Sequence, residues 1–244
     1  MMDLIPTLWT AREAETATGG AIASDWSARG VSIDTRTLKE GDLFVALHGP
    51  NFDGNDFVAD ALSKGAVAAM VDRKLDNETF MLKVEDTMAA LQDLGRAARE
   101  RTRATIIAVT GSVGKTGSKE ALKFVLARQG MASASEGSLN NHWGVPLSLA
   151  RMNAKTEYGI FELGMNHPGE IEPLVKMVRP HVALITTVEA VHSEYFSSEE
   201  QIADAKAEIF AGVEPVGAAV LNRDNRHFDR LASAARAHEI QRII

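Results

Sequence analysis

The run Gly111-Ser-Val-Gly114-Lys115-Thr116 has the composition of a loop that holds phosphate. Backbone N–H groups of a Gly-rich turn that opens a helix can surround phosphate oxygens. Lys115 would meet the β/γ-phosphates as a point charge, and the Thr116 hydroxyl would hold Mg²⁺. Ser112, Val113 and Gly117 complete the stretch that would face a nucleotide. The loop is a short G-x-x-G-K-T form, because Val109 stands where the commoner G-x-x-x-x-G-K-[ST] pattern has its first glycine. An isolated G-K-T would read better as a turn with a solvated lysine. Here an apolar strand precedes the loop and an amphipathic helix follows it, which favours phosphate.

Three further residues have chemistry suited to the metal that accompanies a nucleotide. Glu162 lies in the apolar run Tyr158-Gly-Ile-Phe-Glu-Leu163, just before Gly164. The carboxyl ends of parallel strands line the ligand crevice, and a carboxylate there can hold Mg²⁺ beside substrate phosphates. The competing reading is an edge-strand glutamate facing solvent. His192 follows the apolar run Val182 to Val188 on the same expected rim, although a lone histidine is more often an ordinary surface or core residue. Lys206 is the odd one. Ser197-Ser-Glu-Glu200 resembles a capping box, so a helix should begin there. On that helix Ile202, Lys206, Ile209 and Val213 share a stripe, with Ala203, Ala207 and Phe210 beside it. Burial would lower the pKa of this amine, and a neutral amine can take up carbon dioxide as a carbamate, an anion able to bind metal. Periodicity alone favours the plainer account, a lysine that snorkels to water.

These groups need a scaffold that brings strand ends together. Thr105 to Thr110 reads as a buried strand feeding the loop, and the next helix has Leu122, Val125 and Leu126 on one face with Gly130 as its stop. Strands at 158–163, 182–188 and 218–221 alternate with helices at 170–178, 198–211 and 229–238, and 239–244 resembles the start of another strand. This alternation predicts an α/β fold whose mainly parallel sheet is covered by helices. Earlier, Asp42 to Leu47 and Ala66 to Val71 read as strands around a helix at 57–64. Thr87 to Arg101 reads as a helix with Met88, Leu91, Leu94 and Ala98 on one face and Asp86 as its N-cap. The expected organisation is a small α/β domain over 1–84, a connecting helix over 85–103 and a loop-bearing domain over 104–244.

Composition narrows the function classes. The formal net charge of −7 argues against a broad nucleic-acid-binding surface, while leaving room for a local basic pocket. The absence of cysteine excludes disulfides, thiol catalysis and Cys-ligated zinc. Met1 to Gly20 has no basic start followed by an apolar core, and no apolar stretch is long enough to span a bilayer, so a cytoplasmic protein is expected.

From Ser32-Ile-Asp-Thr-Arg36 to Leu221-Asn-Arg-Asp-Asn225 the chain resembles the Mur ligases. Asp34-Thr-Arg36, Gly41-Asp-Leu-Phe-Val-Ala-Leu47 and Asn51-Phe-Asp-Gly54 look like the family's UDP-sugar domain. Thr110 to Thr116, followed by Lys119-Glu120, matches its phosphate loop. Asn140-Asn141 with Gly144-Val-Pro146, and above all Phe161-Glu-Leu-Gly-Met-Asn-His-Pro-Gly-Glu-Ile171, are similar to the D-alanyl-D-alanine-adding branch. Val113, Gly117-Ser118 and His142-Trp143 depart from the commonest pattern without removing a phosphate or metal ligand.

The resemblance implies an ATP-dependent carbon–nitrogen ligase of peptidoglycan precursor synthesis. It would join D-alanyl-D-alanine to UDP-N-acetylmuramoyl-tripeptide through an acyl phosphate. It further implies two Mg²⁺ ions, Glu162 and His192 as metal ligands and Lys206 as a carbamylated lysine, which overturns the snorkelling account. Asn222 and Asp224 would lie near the adenine, Asp34, Thr35 and Arg36 would anchor the UDP-sugar, and Asn140 and Asn141 would face substrate. A monomer is expected. Family members carry a third, C-terminal domain that this chain is expected to lack, so that alone it would not complete catalysis. Two alternatives remain at this point: the sibling ligase that adds a diamino acid to the dipeptide precursor, and a non-catalytic UDP-sugar- or nucleotide-binding module.

Overall fold

A computed structural model describes residues 6–75, 79–190 and 195–244. The chain divides into two units, one reaching to Ala98 and taking in Leu149–Arg151, the other made of Arg99–Ser148 and Met152–Ile244.

The first unit runs through β1 (Trp9–Thr10), α1 (Ala11–Thr18), β2 (Ala21–Ile22), β3 (Ser27–Ala28), β4 (Gly30–Ser32), β5 (Asp42–Val45), β6 (His48–Gly49), β7 (Phe52–Asp53), α2 (Val58–Ser63), β8 (Ala68–Val71), β9 (Met81–Lys83) and most of α3 (Thr87–Arg101). Its main sheet has the order β2-β9-β8-β5-β4, parallel except for the β2–β9 pair. Every residue of β5 and β8 is buried, as expected of inner strands of a parallel sheet. Phe44, Ala69, Val71 and Met81 pack with Val58 and Ala61 of α2 in one apolar cluster. Asp86 caps α3 as its sequence predicts, accepting from the N–H groups of Met88 (2.7 Å) and Ala89 (2.9 Å).

The second unit follows with β10 (Thr105–Thr110), α4 (Lys115–Leu126), β11 (Ala132–Ala134), α5 (Gly144–Ala150), β12 (Tyr158–Glu162), α6 (Ile171–Val178), β13 (Val182–Ile185), α7 (Glu199–Ala207), a 3₁₀ turn at Glu208–Gly212, β14 (Ala218–Leu221), α8 (Phe228–Ala237) and β15 (Arg242–Ile243). The six strands form one parallel sheet in the order β11-β12-β10-β13-β14-β15. Its register matters for function. Val109 pairs with Glu162, Thr110 with Ile185 and Ile185 with Leu221, so the carboxyl ends of β10, β12, β13 and β14 finish at one rim.

Several sequence expectations need correction. On α4, Leu122 and Leu126 pack on the sheet with Ile107, Val109 and Ile160, whereas Val125 is 54% exposed. The buried stripe is completed by Lys119, which is fully buried and lies one turn before Leu122. The cap of α7 is Ser198, one residue later than the predicted box, and it accepts from the N–H of Gln201. Strand β13 stops at Ile185 rather than Val188, because Thr186 and Thr187 leave the sheet to bond the loop after β10. Strand β11 and helix α5 have no counterpart in the sequence reading, and neither do the two-residue strands of the first unit. Such short pieces carry too few residues for a period to register. Among the described residues no helix is long and apolar enough to cross a membrane.

Phe44 tests the first unit's core. Phe44→Ala should lower stability by about 3–5 kcal/mol, read from urea unfolding by the fluorescence of Trp9 and Trp26, which are buried in the same unit. A loss below about 1 kcal/mol would contradict this packing.

Candidate functional site

The loop between β10 and α4 is fixed from outside. Gly111 has φ 149° and Gly114 has φ 83°, backbone states that L side chains rarely adopt. A Cβ on Gly111 would come within 1.9 Å of the Thr186 hydroxyl oxygen. That hydroxyl donates to the carbonyl of Val113 at 2.6 Å. Ser112 donates its N–H to the Thr187 carbonyl, and its hydroxyl exchanges hydrogen bonds with the backbone of Glu189. The end of β13 therefore clamps the loop, and α4 starts directly after it with its first-turn N–H groups unpaired within the helix. A Gly-rich turn fixed in this way ahead of a helix start has the geometry that the phosphate reading requires. Lys115 donates to the Gly111 carbonyl at 2.7 Å, folded back over its own loop. Burial lowers its pKa, and the nearby Glu162 carboxylate opposes that shift.

Glu162, at the end of β12, is 2% exposed and sits between β11 and β10, so the edge-strand reading is excluded. Both its oxygens are engaged. Oε2 accepts from the Thr116 hydroxyl at 2.9 Å and Oε1 from the Asn140 side-chain amide at 2.8 Å. Lys119 Nζ lies 3.9 Å from Oε2 and donates to the carbonyls of Ser135 (2.8 Å) and Gly137 (3.1 Å). In the sequence reading Lys119 only follows the loop and has no role in the site. The signal was available, because a lysine on an apolar helical stripe is the same anomaly that singled out Lys206. Asn141 does not join the cluster: its side-chain oxygen accepts from the N–H groups of Trp143 and Gly144, at the start of α5.

Lys206 does not snorkel. It is 2% exposed on the buried face of α7 with Ile202, Ala203 and Ala207. Burial, and secondarily the positive charge of Lys115, push its pKa down to about 7. The amine thus sits in the same electrostatic neighbourhood as the phosphate loop, and it loses its proton far more readily than a solvated lysine. His192 lies outside the described residues.

Asn222 and Asp224 are exposed in the turn after β14, where the Asn222 side chain accepts from the Asp224 N–H at 3.1 Å. Asn225 ties that turn to the rim by donating to the Thr187 hydroxyl and the Val188 carbonyl, both at 2.9 Å. Asp34, Thr35 and Arg36 belong to the first unit. There the Arg36 guanidinium folds onto the Asp34 carboxylate, with contacts of 2.6 to 3.0 Å that lower the carboxyl pKa, and Lys64 donates to the Thr35 carbonyl.

The donor set suits a hard, oxygen-loving cation. Thr116 and Glu162 offer a hydroxyl and a carboxylate beside a phosphate cradle. Mg²⁺ typically takes one or two protein oxygens and fills its other positions with phosphate and water. Among the described residues no cluster of three or more His, Asp or Glu could hold a metal without such a substrate.

Comparison with known proteins agrees with this geometry. A family model described as the Mur ligase middle domain matches residues 109–244, and one described as the Mur ligase family, catalytic domain, matches residues 27–109. The UDP-N-acetylmuramoyl-tripeptide–D-alanyl-D-alanine ligase of Rickettsia prowazekii (strain Madrid E) is 39% identical over 97% of this chain and 53% of its own length. The enzyme of that name from Escherichia coli (strain K12) is 39% identical over 90% of this chain and 49% of its own. The chain therefore spans about half the length of the curated relatives it matches. A crystal structure of MurF from Acinetobacter baumannii superposes with a TM-score of 0.85 at 36% identity, covering 97% of this chain and 52% of the other. That of the MurF ligase from Thermotoga maritima in complex with ADP gives 0.72 at 32% identity, covering 86% and 48%.

The buried Lys206 amine makes stability depend on pH in a definite sense. The folded state resists the amine's proton down to about pH 7, whereas an unfolded lysine keeps it to about 10.5. The full penalty applies below about pH 7 and is relieved as pH rises toward 10.5, where both states become neutral. Lys206→Met should therefore stabilise the protein by on the order of 4 kcal/mol near neutral pH, and the gain should shrink at pH 9.5. Denaturant titrations in carbon-dioxide-free buffer read this directly; a gain that is flat or rising with pH would refute it.

Proposed function

Since this chain belongs to the Mur ligase family, we propose that it serves the ATP-dependent joining of D-alanyl-D-alanine to UDP-N-acetylmuramoyl-tripeptide. The observation that carries the reading is the 2.9 Å contact between Thr116 and the buried Glu162 at the mouth of the Gly111–Thr116 loop. That contact joins the loop to a buried carboxylate and a hydroxyl that would serve a cation, with buried Lys119 beside them at the sheet rim. The acceptor and donor substrates are supported by the names of the similar ligases. The sibling diaminopimelate ligase shares the fold with a TM-score of 0.52 at only 19% identity, which leaves it the weaker reading.

In the proposed reaction the tripeptide carboxylate attacks the γ-phosphorus of ATP, ADP departs and an acyl phosphate forms. The D-alanyl-D-alanine amine then attacks the acyl carbon, phosphate leaves and the amine's proton passes to solvent. The N–H groups of the loop and of the first turn of α4 would bind the phosphates, and Lys115 would swing from its own loop carbonyl to offset charge on the transferring group. Thr116 and Glu162, with His192, would hold Mg²⁺, which supplies charge neutralisation on the phosphates. Asn140 and Lys119 would keep the Glu162 carboxylate aimed. Lys206, as its carbamate, would add an anionic ligand for a second ion. Asn222 and Asp224 would meet the adenine side, and Asp34, Thr35 and Arg36 the UDP-sugar. Use of ATP and a UDP-sugar fits the cytoplasm. The proposed state is a monomer.

Phosphate release from ATP tests the reading, measured on the 244-residue chain and on a version extended to the relatives' full length. The extended protein should release phosphate only when both UDP-N-acetylmuramoyl-tripeptide and D-alanyl-D-alanine are present. Lys115→Ala should reduce the rate about a hundredfold or more. Lys206→Ala should also abolish turnover, with partial rescue by small carboxylates. Release that ignores D-alanyl-D-alanine, or wild-type turnover by Lys206→Ala, would defeat the substrate assignment or the carbamate role respectively.

A further inference from the structure

The Glu208 carboxylate crosses from the end of α7 to the start of α6 and accepts three backbone N–H groups, from Gly169 at 2.6 Å, Ile171 at 3.1 Å and Glu172 at 3.2 Å. It supplies a cap that α6 lacks locally. Glu170, at the N-cap position, makes no side-chain cap bond and spends its carboxylate on the Asn166 N–H and the His167 ring. A charged acceptor on several otherwise unpaired N–H groups at a helix start is among the stronger hydrogen-bond arrangements.

Both ends of this contact lead to the site. The bonded turn closes the segment that leaves Glu162 at the end of β12, and Glu208 itself stands two residues beyond Lys206. The turn that follows is seated on the same helix, for Ile209 and Phe210 are buried and a Cβ on Gly212 would come within 2.4 Å of the Val175 carbonyl oxygen. The Glu208 bonds fix the near end of that turn and its close packing on α6 fixes the far end. Sliding of α7 along α6 would break both.

We propose that Glu208 is a positioning residue that holds Lys206 on the side of α7 that faces Lys115 of the phosphate loop. Its importance to turnover rests on the ligase reading above; its effect on Lys206 does not.

The test therefore begins without nucleotide or substrate. The 244-residue chain, its Glu208→Gln variant and its Glu208→Asp variant are treated with an amine-acetylating reagent in carbon-dioxide-free buffer, and labelling is quantified peptide by peptide by mass spectrometry. Lys119, fully buried on α4, is the internal control. Glu208→Gln should raise Lys206 labelling about tenfold, the scale of losing a charge-assisted hydrogen bond, and leave Lys119 protected. Glu208→Asp, which keeps the charge with a shorter reach, should fall between, and it decides the matter if the Gln variant does not fold. Equal rises at Lys206 and Lys119 would show general loosening and overturn the proposal, as would unchanged labelling of Lys206. In the full-length enzyme Glu208→Gln should also raise the Mg²⁺ concentration for half-maximal turnover while leaving the KM for D-alanyl-D-alanine unchanged. An unaltered Mg²⁺ requirement in an active variant would overturn the link to catalysis, whereas failure of the ligase reading would show as no wild-type turnover at all.

Discussion

Taking a carboxylate out of water costs several kcal/mol unless hydrogen bonds and opposite charge replace what hydration supplied, and Glu162 is held 2% exposed at the end of an inner strand. Its replacements come from three directions. Thr116 arrives from the phosphate loop, Asn140 from the segment before α5, and Lys119 from the next turn of α4. Each partner is fixed by its own backbone bonds, so the carboxylate's demand for partners also fixes the spacing of loop, sheet and helix. A site built this way is oriented before any ligand enters, which is the condition for electrostatic stabilisation without reorganisation.

The parallel sheet makes that convergence possible. Equal register puts the carboxyl ends of four strands at one rim, and each connection must leave from that rim. The chain then has two uses for the ends of its strands. After β10 it turns into a helix and leaves N–H groups open, while after β13 it spends Thr186 and Thr187 on clamping that turn. The clamp explains why β13 is shorter than its apolar run. The residues that look like more strand are taken by the loop.

Buried and half-buried lysines give the rim its second character. Lys115 and Lys119 sit close to the Glu162 carboxylate and Lys206 feels the charge of Lys115, and both Lys115 and Lys206 hold their protons less firmly than a solvated lysine. Lys119 is satisfied by carbonyls and anchors the segment after β11, whereas Lys206 lies 2% exposed on the apolar face of α7. An amine that is buried and near another cation holds its proton weakly and is suited to becoming an anion, which is why the carbamate is proposed for this residue.

Much of this was legible in the sequence because it depends on local chemistry. The G-x-x-G-K-T spacing, the apolar run of β10, the Asp86 cap and the lysine on the stripe of α7 are each decided within a few residues of chain. Sequence also determined the fold class, since alternation of strand and helix leaves few other layer arrangements. What only the tertiary structure decided were pairings between segments distant along the chain. Asn140 donates to Glu162 across 22 positions, Lys119 rather than Val125 fills the buried face of α4, and Glu208 caps a helix 37 positions earlier. Such contacts follow from sheet order and helix rotation, which bring together residues that no periodicity relates. A pattern can report which face of an element is apolar, but the partner across that face is chosen by packing.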